Sequence, residues 1–437
     1  MVISKCALFF AICFSVYLAV PVLAQEHHHQ MQEETSAPHM KPACSPEHAQ
    51  MGHCMPEEVP MNHGESFIHA HMTNFLVVNK TEGPRGREAF YDTNMFMLEI
   101  QKGYINPKNY FKIDFMGTAE YYTVPKAGVP LLFQSGEADE DGKPFIDAQH
   151  PHNTPVMGLT FSHILKLSPT KKLTFFFAPR GEPTAGPEPF MHRTSARSNP
   201  DAPLSHHLQD YFHISSTIAG VRLNYGKVLL EGSTFSGFEP QPRKINLDMH
   251  KPDSWAAKMN FSLNPNAKVG ASLARVKPTH AESPHTNDEH NTHEVEPTQK
   301  LWAIAAWLSQ QNNLGSGTVD NTLIWGQVRS EDILNSFLEE FVYNLGRNNF
   351  FGRLEVLQKT PDQLALVVTD QEGSRWVSAL SLGYERKVGA PKNVETYVGG
   401  SLTQHWTPKD WQYAYGGNPK SYRVFMRLNW MKMKHLK

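Results

Sequence analysis

The sequence has 437 residues, with 41 Lys and Arg against 43 Asp and Glu. A net charge of -2 without any basic stripe interleaved with aromatics excludes a nucleic-acid partner. Hydrophobic residues make up 40% and mean hydropathy is -0.45, which excludes a bundle of apolar spanning helices but not a barrel, whose apolar residues hide at every second position.

Lys5 precedes an apolar run from Ala7 to Val22, and Val22-Leu23-Ala24 stands before Gln25 as the small-residue pattern of a secretory cleavage site. Residues 1–24 read as a signal peptide, so the rest is an exported protein. Cys6 and Cys13 leave with that segment. Cys44 and Cys54 remain, able to form one disulfide in an oxidising compartment or to serve as thiolate ligands.

Residues 25–65 have almost no aliphatic content and cannot bury enough apolar surface to offset ordering their backbone, so a disordered tail is expected. Its content is ligands: His27, His28, His29, Met31, His39, Met40, Cys44, His48, Met51, His53, Cys54, Met55, Met61 and His63. Thioether, imidazole and thiolate suit Cu(I) and Ag(I), and imidazole also suits Cu(II), Zn(II) and Ni(II). Methionine gains nothing as a hydrophobe in a solvated linker, so its recurrence beside histidine points to copper or silver binding, with no obligatory cofactor. The alternative is a linker of biased composition with no metal role.

From Ser66 to Met431 the dominant pattern is period two with no helical segment. It is plainest in the hairpin from Asp253 to Lys277. Trp255, Ala257, Met259, Phe261 and Leu263 point one way, and Ser254, Lys258, Asn260 and Ser262 the other, up to an Asn264-Pro265-Asn266 turn. Sixteen such strands are predicted: 66–79, 90–102, 109–122, 153–167, 172–180, 210–225, 227–238, 253–264, 267–277, 299–310, 317–329, 335–345, 348–358, 375–387, 393–405 and 420–431. Connections after most even-numbered strands are short and those after most odd-numbered strands long. That asymmetry predicts an all-β fold, a closed transmembrane outer-membrane antiparallel β-barrel over 66–431 with both ends in the periplasm. The short connection from Ser330 to Leu334 leaves fourteen strands as the alternative. Adjacent Glu339 and Glu340 predict a bulge or a position above the lipid in the twelfth strand. Tyr121, Tyr225, Trp255, Trp376, Tyr384, Tyr397 and Trp430 are candidates for the interfacial aromatic girdles, and residues 432–437 read as a C-terminal extension.

A second set of histidines lies in the long loops: His150, His152 and His163 around the fourth strand, then His192, His206, His207 and His213 around the sixth. A lipid-facing imidazole would strand polar nitrogens in hydrocarbon, so His150, His152, His206 and His207 are expected at the mouth or in the lumen. With Asp147, Asp201 and Asp210 they could hold a metal ion. The favoured reading is that carboxylate–histidine hydrogen bonds tie the two loops together. A third run, His280, His285, His290 and His293, reads as a solvated exterior loop. No Gly-x-Ser-x-Gly elbow or other spaced catalytic signature stands out, which argues against an enzyme.

The stretch from Phe190-Met191-His192-Arg193 through Asn199 to Asp210, with Gln149-His150-Pro151-His152, resembles a family of bacterial outer-membrane β-barrel proteins. That resemblance implies an architecture and no reaction. The plan of a Met/His-rich exported tail before a barrel is similar to the copper-resistance B-type outer-membrane proteins, which implies sequestering or passing periplasmic copper. The combined expectation is an outer-membrane barrel with a soft-metal-binding periplasmic tail, serving copper or silver tolerance, sequestration or efflux. Its partners would be outer-membrane lipid, the assembly machinery and periplasmic metal carriers. The alternative is a general or solute-specific porin with an incidental tail.

Overall fold

Alternating apolar and polar side chains give each strand two unlike faces, and both can be satisfied only when the sheet closes with lipid outside and a polar lumen inside. A computed structural model describes residues 66–436 except 105, 140, 153, 211, 238–246, 248, 278–300, 368–372 and 392–393. The signal peptide, the tail with all its candidate ligands, and the run from His280 to His293 lie outside the described residues.

In chain order the strands are β1 (Ser66–Thr81), β2 (Glu88–Tyr104), β3 (Asn106–Gly117), β4 (Val129–Ala138), β5 (Pro144–Gln149), β6 (Val156–Ser168), β7 (Lys171–Gly181), β8 (Ser215–Tyr225) and β9 (Val228–Ser236). There follow β10 (Ser254–Asn264), β11 (Ala267–Val276), β12 (Leu301–Leu314), β13 (Gly317–Arg329), β14 (Ile333–Leu345), β15 (Asn348–Lys359), β16 (Arg375–Gly389), β17 (Val394–Trp406) and β18 (Lys420–Leu436). All but β4 and β5 form one closed antiparallel barrel of sixteen strands, and β4 and β5 pair separately. Every predicted strand is present, and the fourteen-strand alternative falls because β12, β13 and β14 pair in unbroken register.

The faces are as the sequence requires. Phe90, Phe111, Met259, Phe261, Val398 and Val424 are exposed on the outer face, while Asp320, Glu340, Arg353, Glu385, Arg423 and Arg427 are buried on the inner one. The β10–β11 turn is held by the Asn266 amide donating to Asn264 Oδ1 at 2.8 Å. Ser66 pairs with Leu436, so both strand ends lie at the rim of the short turns.

Several details differ from expectation. The third strand stops at Gly117 rather than residue 122, because the Asn94 side chain takes the Ala119 amide at 2.7 Å and the chain turns into a helical turn, Glu120–Thr123. Further four-residue turns occur at His206–Gln209 and Gln412–Tyr415. No bulge interrupts β14: Glu340 is locked inside by two arginines, which fixes the parity and leaves Glu339 on the outer side, level with Leu323 and Leu354. The extension from 432 is no appendage, since β18 continues to Leu436 against the start of β1. Tyr397, placed in a girdle by sequence, faces inward with the Arg427 guanidinium 4.0 Å from its ring centroid.

Candidate metal centre

Two long loops turn into the lumen, residues 118–155 between β3 and β6 and residues 182–214 between β7 and β8. The second is fastened to the wall by charge. Arg193 Nε lies 2.7 Å from Glu340 Oε1, and Arg353 Nε lies 2.9 Å from Glu340 Oε2 while its Nη1 donates to the Asp201 carbonyl at 2.7 Å. Arg197 pairs with Asp320 at 2.8 Å, Ser198 donates to Glu385 at 2.6 Å, and Ser205 donates to Glu355 at 2.7 Å. Pairing of this kind is what makes charges tolerable away from bulk water. It sets the helical turn His206–Gln209 against β12, β13 and β14.

The first loop carries the inner hairpin β4–β5, whose end presents His150-Pro151-His152 to that turn. Five imidazoles meet there. Ring centroids are 4.7 Å apart for His206 and His207, 4.3 Å for His206 and His213, 5.6 Å for His150 and His207, and 5.6 Å for His152 and His213. His150, His206 and His207 offer ligand nitrogens that all lie within 4.8 Å of one another. The four histidines expected inside the barrel are inside it: His150, His152 and His206 are buried and His207 is half-buried. His213 joins them, though sequence reasoning did not rank it as a candidate ligand; its place seven residues beyond His206 was the available signal.

Carboxylates orient the rings, each within its own loop. Ionised carboxylates only accept, so the contacted Nδ1 is the protonated nitrogen: His152 Nδ1–H donates to Glu120 Oε2 at 2.7 Å, and His206 Nδ1–H to Asp210 Oδ1 at 2.6 Å. His150 Nδ1 stands 3.0 Å from Glu137 Oε2. In the neutral form of each ring Nε2 is then the lone-pair nitrogen, and in His152 and His206 it is buried without a hydrogen-bond partner. Contrary to the favoured expectation, carboxylate–histidine bonds do not tie the loops together. Those bonds stay inside each loop, and between the loops imidazole faces imidazole. Only Asp210 of the three candidate aspartates takes part. Asp147 instead binds the Phe133 amide, Tyr415 and Arg85, and Asp201 pairs with Arg423.

Protonation is set by the same packing. Burial, reinforced by neighbouring histidines, pushes His206, His207 and His213 well below the usual histidine range, so they are neutral at pH 7. Burial pushes Asp210 up to about 6 against the pull of His213 and Arg193, leaving it mostly ionised. Burial also works to raise Glu120, but the His152 ring and amide outweigh it and hold that carboxyl low. Neutral imidazoles with a carboxylate behind them are the form in which histidine binds metal. Among the remaining loop histidines, His192 Nε2 lies 3.2 Å from Glu182 Oε1, while His163 is on β6 and stacks on Phe111 at 5.7 Å.

No family model matches the chain, and no curated protein is similar to it. Among solved structures, it is similar to the Salmonella typhi OmpF complex with daunomycin at 8% identity and a TM-score of 0.48, covering 84% of this chain and 97% of that one. It is also similar to a loop-deletion mutant of OmpT, an outer membrane protein of Vibrio cholerae, at 9% identity and a TM-score of 0.46, covering 83% and 99%. Pseudomonas aeruginosa OpdL shows 10% identity and a TM-score of 0.38, covering 84% and 99%.

Proposed function

We propose that this protein is an outer-membrane channel whose lumen holds a transition-metal centre, and that it serves copper or silver tolerance by sequestration or efflux. The observation that carries this reading is the meeting of His150, His206 and His207 with carboxylates behind the rings. A metal–imidazole distance of about 2.0–2.1 Å puts tetrahedral ligand nitrogens roughly 3.4 Å apart, so rotations of about an ångström close the group on Zn(II) or Cu(II). His152 and His213 stand beside it as further donors. The apolar outer face fits the outer membrane, and the short-turn rim, where both ends emerge, fits the periplasmic side. There the Met/His/Cys tail would capture ions from periplasmic carriers and deliver them to the lumen.

The porin alternative keeps one specific support: loop 182–214 crosses the lumen between charged walls, as a loop that narrows a pore would. Replacing His206 and His207 by Ala in the full-length protein separates the two. The metal reading expects loss of one tightly bound equivalent of Zn(II) or Cu(II) and lower copper tolerance of the cells, with small-solute permeability retained. Unchanged metal stoichiometry and tolerance, with altered permeability, would leave the porin.

A further inference from the structure

Apart from the histidine centre, the inner wall carries a second concentration of ligand side chains with a different chemistry. Of the eleven methionines between residues 66 and 436, five converge: Met95, Met116 and Met157 form one buried group, with Met97 and Met191 packed against it. Strand register explains the convergence. His71 on β1 is level with Met97 on β2, which is level with Met116 on β3. Level residues on neighbouring strands share a face with Cβ atoms about 5 Å apart, so the three form a row across the wall. His69 lies two residues before His71 on the same face, their ring centroids 5.5 Å apart. Loop 182–214 covers the row with Met191 and His192, and His192 sits within electrostatic reach of His71.

Two observations argue against a merely apolar packing patch. His69 is only 8% exposed and its Nε2 has no hydrogen-bond partner, so a buried, unsatisfied ring nitrogen belongs to the group. The surroundings are also polar: Glu99, Lys112 and Asp114 form an ion-paired row next to the methionines. Thioethers are weak ligands for hard or borderline cations and good ones for soft monovalent ions.

We propose that Met95, Met97, Met116 and Met191, with His69 and His71, form a binding site for a soft monovalent metal ion, Cu(I) or Ag(I), on the lumen wall. The site is separate from the histidine centre but next to it, since Ile214, which packs on the methionines, follows His213 directly. Nitrogen donors with carboxylates behind them favour divalent ions, and sulfur donors favour monovalent ones, so the two sites divide the ions by charge and softness.

The test is methionine footprinting on the full-length protein in detergent: peroxide oxidation with and without Ag(I), read peptide by peptide, with Zn(II) as a second arm. Ag(I) should slow oxidation of Met97 and Met191 several-fold and leave Met249 and Met433 unchanged, while Zn(II) protects neither pair. H206A/H207A should keep this protection, and M116L/H69A should lose it. Equal protection at all four methionines, protection by Zn(II), or its disappearance in H206A/H207A would overturn the proposal. If the histidine centre takes no divalent ion, that reading fails alone, because the footprint does not depend on it.

Discussion

Gly136 approaches His207 so closely that a Cβ at position 136 would lie 2.9 Å from the imidazole Nε2. Its φ of +134° adds a backbone reason for glycine there. Gly136→Ala must therefore displace the His207 ring from its place beside His150 and His206. The expected outcome is at least a tenfold loss of Zn(II) or Cu(II) affinity by calorimetry, with the barrel's heat-modifiable gel migration unchanged. Wild-type affinity in this variant would mean that His207 is not a ligand.

Glu120 and Asp210 touch no ion in this reading: Glu120 accepts from the ring and amide of His152, and Asp210 from the ring of His206. Removing such carboxylates from behind ligating histidines costs roughly 10–100-fold in metal affinity. Asp210→Asn is expected in that range. Glu120→Gln should cost less, because His152 lies outside the tightest trio. Equal affinities in wild type and Asp210→Asn would show that the pair serves packing alone.

The barrel was legible because period two is written into every strand and a one-residue slip would put arginines such as Arg423 and Arg427 into lipid. The inner hairpin was not. Val129–Ala138 has no alternation, being enclosed on both sides and almost wholly buried, so Pro130-Leu131-Leu132-Phe133 looked like loop. Four-residue helical turns are too short to leave a 3.6 period. The histidines were visible as residues, but not as a centre. His150 and His206 are brought together by Arg193, Arg197 and Ser205 reaching acidic groups on β13, β14 and β15, and sequence spacing holds no trace of those contacts.

Glu340 carries two guanidiniums, Arg193 from the loop and Arg353 from β15. Glu340→Gln takes away the one carboxylate that both guanidiniums contact directly in a buried setting, a change that costs about 3–5 kcal/mol when one partner of such a pair is removed. The expected consequence is local: loop 182–214 comes off the wall, trypsin cuts at Arg193 or Arg197, and single-channel conductance rises. Glu340→Gln combined with Arg193→Gln should recover part of the protease resistance. Resistance equal to wild type in the single variant would contradict the anchoring role.

Acid should loosen the two inward loops in the metal-free protein, and the sign follows from the packing. His206, His207 and His213 sit well below their ordinary value of about 6.5 when folded, so the unfolded loop takes up protons first as pH falls. Their contribution is present above pH 6.5 and is lost as pH drops through the folded values. Asp210 works the other way: with its folded value raised to about 6, it favours the packed loop increasingly as pH falls below 6. Between roughly pH 6.5 and 6 the histidines therefore act unopposed, and below that one carboxyl offsets part of three imidazoles. Hydrogen exchange over residues 145–152 and 203–214 should accelerate from pH 7 to pH 6, after correction for intrinsic rates, while β10–β11 stays protected. Bound Zn(II) holds the imidazoles neutral and should shift the acceleration to lower pH. The same profile with and without Zn(II) would remove the histidines as its cause.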